Sequence, residues 1–194
     1  STRTAGAPFV ATVNLVDLRW NITTAYAPIV SVDTDDLYDI EPGDLTLTQG
    51  TTYFVFTFIK KSTGTTITAL SGSYQNGVSR LVPVTFGKPT KLMVLVPGET
   101  ALQGSSTGKT GAPANPFVVN STFTITVNAC DQYWNVVADT DPWITATTTD
   151  LYDDESLLNV QLQNGTITRF ITFKTGNMQG YNLSYATHTI SVSP

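Results

Sequence analysis

Hydrophobic and polar residues alternate in short runs along most of the chain. Phe9–Val16, Ile29–Val32, Thr52–Lys60, Thr65–Leu70, Leu81–Phe86, Thr90–Val96, Phe123–Cys130, Ile144–Thr148, Thr166–Lys174 and His188–Val192 are rich in Thr, Val, Ile and Phe. A period of two sends successive side chains to opposite faces of a strand, and β-branched and aromatic residues suit that pleated surface. The runs stop at Pro42-Gly43, Gln49-Gly50, Asn76-Gly77, Pro97-Gly98 and Asn164-Gly165, pairs that tolerate the dihedrals of tight turns. No longer window carries apolar residues at helical spacing. The pattern predicts an all-β chain.

The same pattern occurs twice. Residues 10–60 laid on 124–174, an ungapped offset of 114, are identical at 17 of 51 positions. Thr12-Val13-Asn14 meets Thr126-Val127-Asn128, Asp17 meets Asp131, and Trp20-Asn21 meets Trp134-Asn135. Asp36-Leu37-Tyr38-Asp39 meets Asp150-Leu151-Tyr152-Asp153, while Phe56 and Lys60 meet Phe170 and Lys174. About seven short strands per repeat is the pattern of a two-sheet antiparallel sandwich. The expected domains are 1–87 and 88–194, joined near Gly87 without a Pro/Ser/Gly-rich linker. The copies differ at their ends. Lys88–Ser105, with its strand-like Leu92–Val96, has no counterpart ahead of the first repeat. The chain therefore reads as a slice of a tandem array, or as a subunit lacking one strand in its first sandwich.

Each run of Thr-Val-Asn leads into Asp-x-x-x-Asn, namely Asp17–Asn21 and Asp131–Asn135. An Asp at such a corner accepts hydrogen bonds from N–H groups two residues on, and Asn tolerates positive φ. On that reading Asn21 and Asn135 take the left-handed position, and Trp20 and Trp134 cap one end of each sandwich. This strand-and-turn signature, with Lys88-Pro-Thr-Lys-Leu opening the second repeat, resembles the bacterial Ig-like (invasin/intimin-type) tandem repeats of large bacterial or archaeal surface proteins. The resemblance implies two tandem Ig-like antiparallel β-sandwiches, at the cell surface or outside it, with no catalysis.

Composition narrows the function further. Ten basic and fifteen acidic residues leave a net charge of −5, too few scattered cations for a nucleic-acid surface. No apolar run approaches the ~20 residues of a membrane-spanning helix. One His and one Cys give almost no material for zinc sites, disulfides or Cys/His catalysis. Cys130 sits on an alternating strand and reads as a small buried apolar side chain.

Three groups of residues carry candidate chemistry. Acidic residues cluster at Asp33, Asp35, Asp36, Asp39 and Glu41, and again at Asp150, Asp153, Asp154 and Glu155. They read either as calcium ligands, which need six to eight oxygens, or as solvated acidic turns. Calcium is thus the one cofactor in view. Sequons for glycosylation stand at Asn21, Asn120, Asn164 and Asn182. The run from Tyr53 to Ile59 is apolar on both faces, so one face is core and Tyr53, Val55 and Ile59 are left for a lateral contact. A strand equivalent to Lys91, Leu92, Val94 and Val96 from a neighbour would complete the first repeat by strand addition, since bare edges invite pairing.

The expected function is that of a non-catalytic extracellular repeat protein, part of a filament, stalk or surface layer. Its partners would be neighbouring copies or repeats. The alternative is an adhesin or carbohydrate-binding module that holds a glycan or host receptor on Trp20, Tyr38, Trp134 and Tyr152.

Overall fold

The structure, a computed structural model, describes residues 1–114, 117–153, 159–175 and 188–194. The chain divides into two compact units, Ser1–Gly87 and Lys88–Pro194. The first contains β1 (Arg3–Thr4), β2 (Phe9–Asn14), β3 (Ile29–Thr34), β4 (Leu45–Thr46), β5 (Thr51–Phe56), β6 (Ser62–Thr65), β7 (Ile67–Leu70), β8 (Gly77–Val78) and β9 (Val82–Thr85). The second contains β10 (Lys91–Leu95), β11 (Glu99–Ala101), β12 (Lys109–Gly111), β13 (Thr122–Cys130), β14 (Trp143–Thr148), β15 (Val160–Gln161), β16 (Thr166–Thr172) and β17 (Ile190–Ser193). The described residues contain no helix. The fold is all-β, two tandem Ig-like antiparallel sandwiches.

In the first unit β2 pairs with β5, Phe9 opposite Phe56 and Asn14 opposite Thr51. The facing sheet has the order β4-β3-β7-β8, and a third sheet runs β1-β9-β6. One pairing departs from the antiparallel expectation: β1 lies parallel to β9, Arg3 opposite Val84. Alternation along β5 and just beyond it buries Phe54, Phe56 and Phe58 completely. Val30, Val32, Leu47, Ile67 and Val84 are buried with them. Fully burying such a side chain is worth about 1.5–3 kcal/mol.

The run Thr65–Leu70, expected as one strand, breaks in two. Thr66 donates its N–H and hydroxyl to the Asp35 carboxylate, at 2.9 and 3.1 Å. The chain crosses there from β6, paired with β9, to β7, paired with β3. Ile59, expected on an outer surface, is buried. The strand ends at Phe56, so strict alternation no longer governs position 59.

In the second unit β13 lies between β10 and β16, and β14 lies between β15 and β17. Ile125, Val127, Ala129, Ile144, Ala146, Leu162, Ile167, Ile171 and Phe173 form the buried cluster, with Leu92, Val94 and Val96 packed against it.

The register corrects the ungapped alignment. Asn14 stands opposite Thr51, and its counterpart Asn128 stands opposite Thr166. The offset is 114 for β2 and β13 but 115 for β5 and β16. Phe56 therefore corresponds to buried Ile171, not to Phe170, which is exposed. Lys60 likewise corresponds to Thr175, as both lend a backbone N–H to the same latch carboxylate. A one-residue slip moves every side chain of a strand to the other face. The identities Phe56/Phe170 and Lys60/Lys174 are thus not structural equivalents.

Candidate assembly site

The Asp-x-x-x-Asn corner is built identically in both units. Asp17 Oδ1 accepts the N–H groups of Arg19 and Asn21 at 2.8 and 2.9 Å, and Asp17 Oδ2 accepts the Asn21 amide at 3.0 Å. Asp131 Oδ1 accepts those of Tyr133 and Asn135 at 2.8 and 2.9 Å, and Asp131 Oδ2 accepts the Asn135 amide at 2.9 Å. These bonds, the Asn21 side-chain amide foremost, hold the Asp17 carboxyl below its ordinary pKa. Below each corner a threonine hydroxyl donates to the strand asparagine: Thr51 to Asn14 and Thr166 to Asn128, both at 2.7 Å. The repeated Asn and Asp are therefore structural. The left-handed position is occupied by Trp20 (φ 66°) and Trp134 (φ 65°) rather than by the asparagines. The asparagine amide is needed by the Asp carboxylate, and only the residue before it is left to reverse the chain.

The same corner meets two different surroundings. In the second unit Asp131 and Asn135 have no solvent exposure. The β11–β12 hairpin covers them: Gly104 donates its N–H to Tyr133 O at 2.9 Å, and Trp134 Nε1 donates to Ser106 O at 3.2 Å. A Cβ on Gly108 would fall 2.5 Å from the Trp134 ring, so only glycine admits the indole there. From β10, Lys91 Nζ donates to Gln132 O at 2.8 Å and lies 4.2 Å from the Trp134 ring centroid. In the first unit no described residue covers the corner. Leu18 is 102% exposed and Trp20 83%, and Asp17 and Asn21 are exposed as well.

The strand beneath differs in the same way. β13 has partners on both sides, whereas among the described residues β2 pairs only with β5. Leu15 donates its N–H to Gly50 O. By the alternation of an antiparallel ladder, the N–H and C=O groups of Val10, Thr12 and Asn14 then point to the other side. Their counterparts Thr124, Thr126 and Asn128 have the parity that meets β10, where Cys130 O accepts the Thr90 N–H. Val10, Tyr53 and Val55 are exposed on the outer face. Lys91, Leu92, Val94 and Val96 are already placed within their own unit, three of them against its core. They are the pattern of an edge strand, not a spare one.

The acidic loops are latches. Asp36 is buried and accepts N–H groups from Tyr38, Ile59 and Lys60 at 3.1, 2.7 and 2.9 Å. Asp150 is buried and accepts those of Tyr152, Lys174 and Thr175 at 3.1, 2.6 and 2.9 Å, and the Thr175 hydroxyl at 2.8 Å. Burial raises the pKa of the Asp150 carboxyl, but those donors outweigh it and bring the value down to about 2. Thr34 links the first loop, its hydroxyl donating to Asp39 at 2.7 Å and its N–H to Glu41 at 2.9 Å. Thr148 donates to Asp153 in the same way. Desolvation raises the pKa of Asp39 and of Glu41, and neighbouring carboxylates add to it. Asp33 is exposed on β3. Among the described residues no three acidic, His or Cys side chains gather as metal ligands. Asp154, Glu155 and the sequon residue Asn182 lie outside the described residues.

Within each unit the two aromatics stand at opposite ends of the sheet. Trp20 stands beyond the Asn14–Thr51 end of the β2–β5 pair, while Tyr38 belongs to the latch beside Thr57 at the opposite end. Trp134 and Tyr152 are separated along β16 in the same way, so neither unit offers a joint stacking platform. Asn21 is tied to Asp17; Asn120 and Asn164 are exposed at positive φ. Cys130 is fully buried, and desolvation first, then Asp131, push its thiol up to about 12. Pattern reading missed Gly108 and the exposure of the first unit's corner. The apolar Leu18 and Ile22 flanking a polar turn were the available signal.

No family model matches the chain, and no curated protein matches it in sequence. Among solved structures it is similar to the D0-D1 domain of intimin, with 14% identity and a TM-score of 0.36 over 98% of this chain and 86% of that one. It is similar to domains 5-6 of the S-layer protein SbsC, with 18% identity and a TM-score of 0.32 over 98% and 85%. It is also similar to Bacteroides uniformis beta-glucuronidase 3, with 13% identity and a TM-score of 0.33 over 99% of this chain and 21% of that one.

Proposed function

We propose that this chain is a non-catalytic structural protein of the cell exterior, a subunit or segment of a surface filament, stalk or layer. Neighbouring repeats or copies associate by adding a strand to the open β2 edge of the first unit. One observation carries the reading: a single strand-and-corner element occurs twice, once covered by an edge strand and hairpin, once exposed. A sheet edge with outward N–H and C=O groups is a template for another chain. Joined to a different surface on the next subunit, such contacts propagate rather than close. The Asp36 and Asp150 carboxylates are taken up by backbone N–H donors and the strand asparagines Asn14 and Asn128 by threonine hydroxyls, which favours scaffolding over chemistry. The test is sedimentation and electron microscopy of the chain from micromolar to millimolar concentration. Ordered polymers, suppressed by a Pro at Thr12 on the open edge, support the proposal. A strictly monomeric chain that also ignores added strand peptides refutes it.

A further inference from the structure

The second unit displays what the covered corner looks like, and the corner itself has the same internal geometry in both units. The paired Asp17 and Asp131 bonds agree within 0.1 Å. The two tryptophans share their φ within one degree. The backbone therefore places the Leu18 carbonyl and the Trp20 Cα–Cβ bond as it places those of Gln132 and Trp134. In the second unit the Gln132 carbonyl and the Trp134 ring are joined by one group, the ammonium of Lys91, the first residue of the edge strand.

We propose that the Leu18 carbonyl and the Trp20 indole form a receptor for a lysine at the start of the incoming strand, and that this contact sets the strand's register. This rests on the strand-addition reading and adds the chemistry of the partner. The occupant is an extended segment of a neighbouring repeat with the β10 pattern: lysine first, then apolar side chains at every second position, as in Leu92, Val94 and Val96. The backbone ladder alone accepts any register, because N–H and C=O groups repeat every two residues. A single ammonium held by a carbonyl and a ring face distinguishes one register from the next. It also explains why a tryptophan occupies a left-handed position that disfavours any residue with a Cβ. An exposed Trp with no covering group would gain nothing there.

The experiment titrates a synthetic peptide of sequence Lys88–Pro97 into the full chain and follows amide hydrogen exchange. The expected result is slowed exchange at Val10, Thr12 and Asn14. A peptide carrying Lys91→Ala, with Lys88 retained, binds about tenfold more weakly. The Trp20→Gly chain, whose glycine suits the backbone and preserves the corner, loses the same factor toward the unmodified peptide and nothing more toward the variant. Equal affinities of both peptides overturn the lysine receptor while leaving strand addition intact. No protection of the β2 amides, or protection lost from β13 instead, overturns strand addition itself.

Discussion

At the residue scale, one side chain does different work according to what lies over it. Trp20 and Trp134 share a backbone conformation, but Trp134 alone packs on a glycine and a lysine. Trp20→Gly is expected to leave stability unchanged or raise it by up to about 1 kcal/mol, through relief of the left-handed strain. Trp134→Gly is expected to cost roughly 2 kcal/mol, since it strips a covered ring from the hairpin. Urea unfolding of the two variants separates the cases. Gly50 and Gly165 are held more tightly: a Cβ would fall 2.1 Å from Thr23 O and 1.9 Å from Val137 O. The Asp150 latch gives a pH signature. Its folded pKa is depressed to about 2, so its stabilisation is present above the unfolded value near 4 and is lost as pH falls from about 4 to about 2. Asp39 and Glu41 have raised values and act in the opposite sense, the folded state gaining as they protonate. Asp150→Asn should flatten the acid limb of the melting curve between those limits; an unchanged limb would place the acid-sensitive group elsewhere.

At the element scale, register decides what the alternation means. Phe56→Ala should cost about 3–5 kcal/mol, because it empties a fully buried site. Phe170→Ala should cost under ~1 kcal/mol, although the ungapped alignment equates the two. Similar costs at both positions would contradict the one-residue offset between the copies. The longer strands were legible because four or more residues show a period. β1, β4, β8, β11, β12 and β15 have two or three residues and show none. Their partners place them, as with β1 beside β9. The break at Thr66 was hidden for a related reason: its cause is Asp35, distant in sequence.

At the scale of the whole molecule, the duplication provides an internal control: among the described residues one copy of the edge is occupied and the other has no partner. In the first unit Asp36 accepts three backbone N–H groups, and Asp35, Asp39 and Glu41 accept donors from Thr66 and Thr34. Millimolar calcium or a chelator is therefore expected to leave the melting temperature unchanged within about 1 °C. A shift of several degrees would mean a bound ion that stabilises the fold by mass action. Cys130, buried and with its thiol pushed up to about 12, should react with thiol reagents only at the rate of unfolding.

Local chemistry determined the all-β class, the repeat, the Asp corners and the glycine turns, because each depends on side chains a few residues apart acting on their own backbone. Burial, register and the fate of the edge belonged to the tertiary structure. The same Asp-x-x-x-Asn is solvated in one unit and sealed in the other, because its exposure depends on the strand and hairpin laid beside it, and no window around the motif contains them.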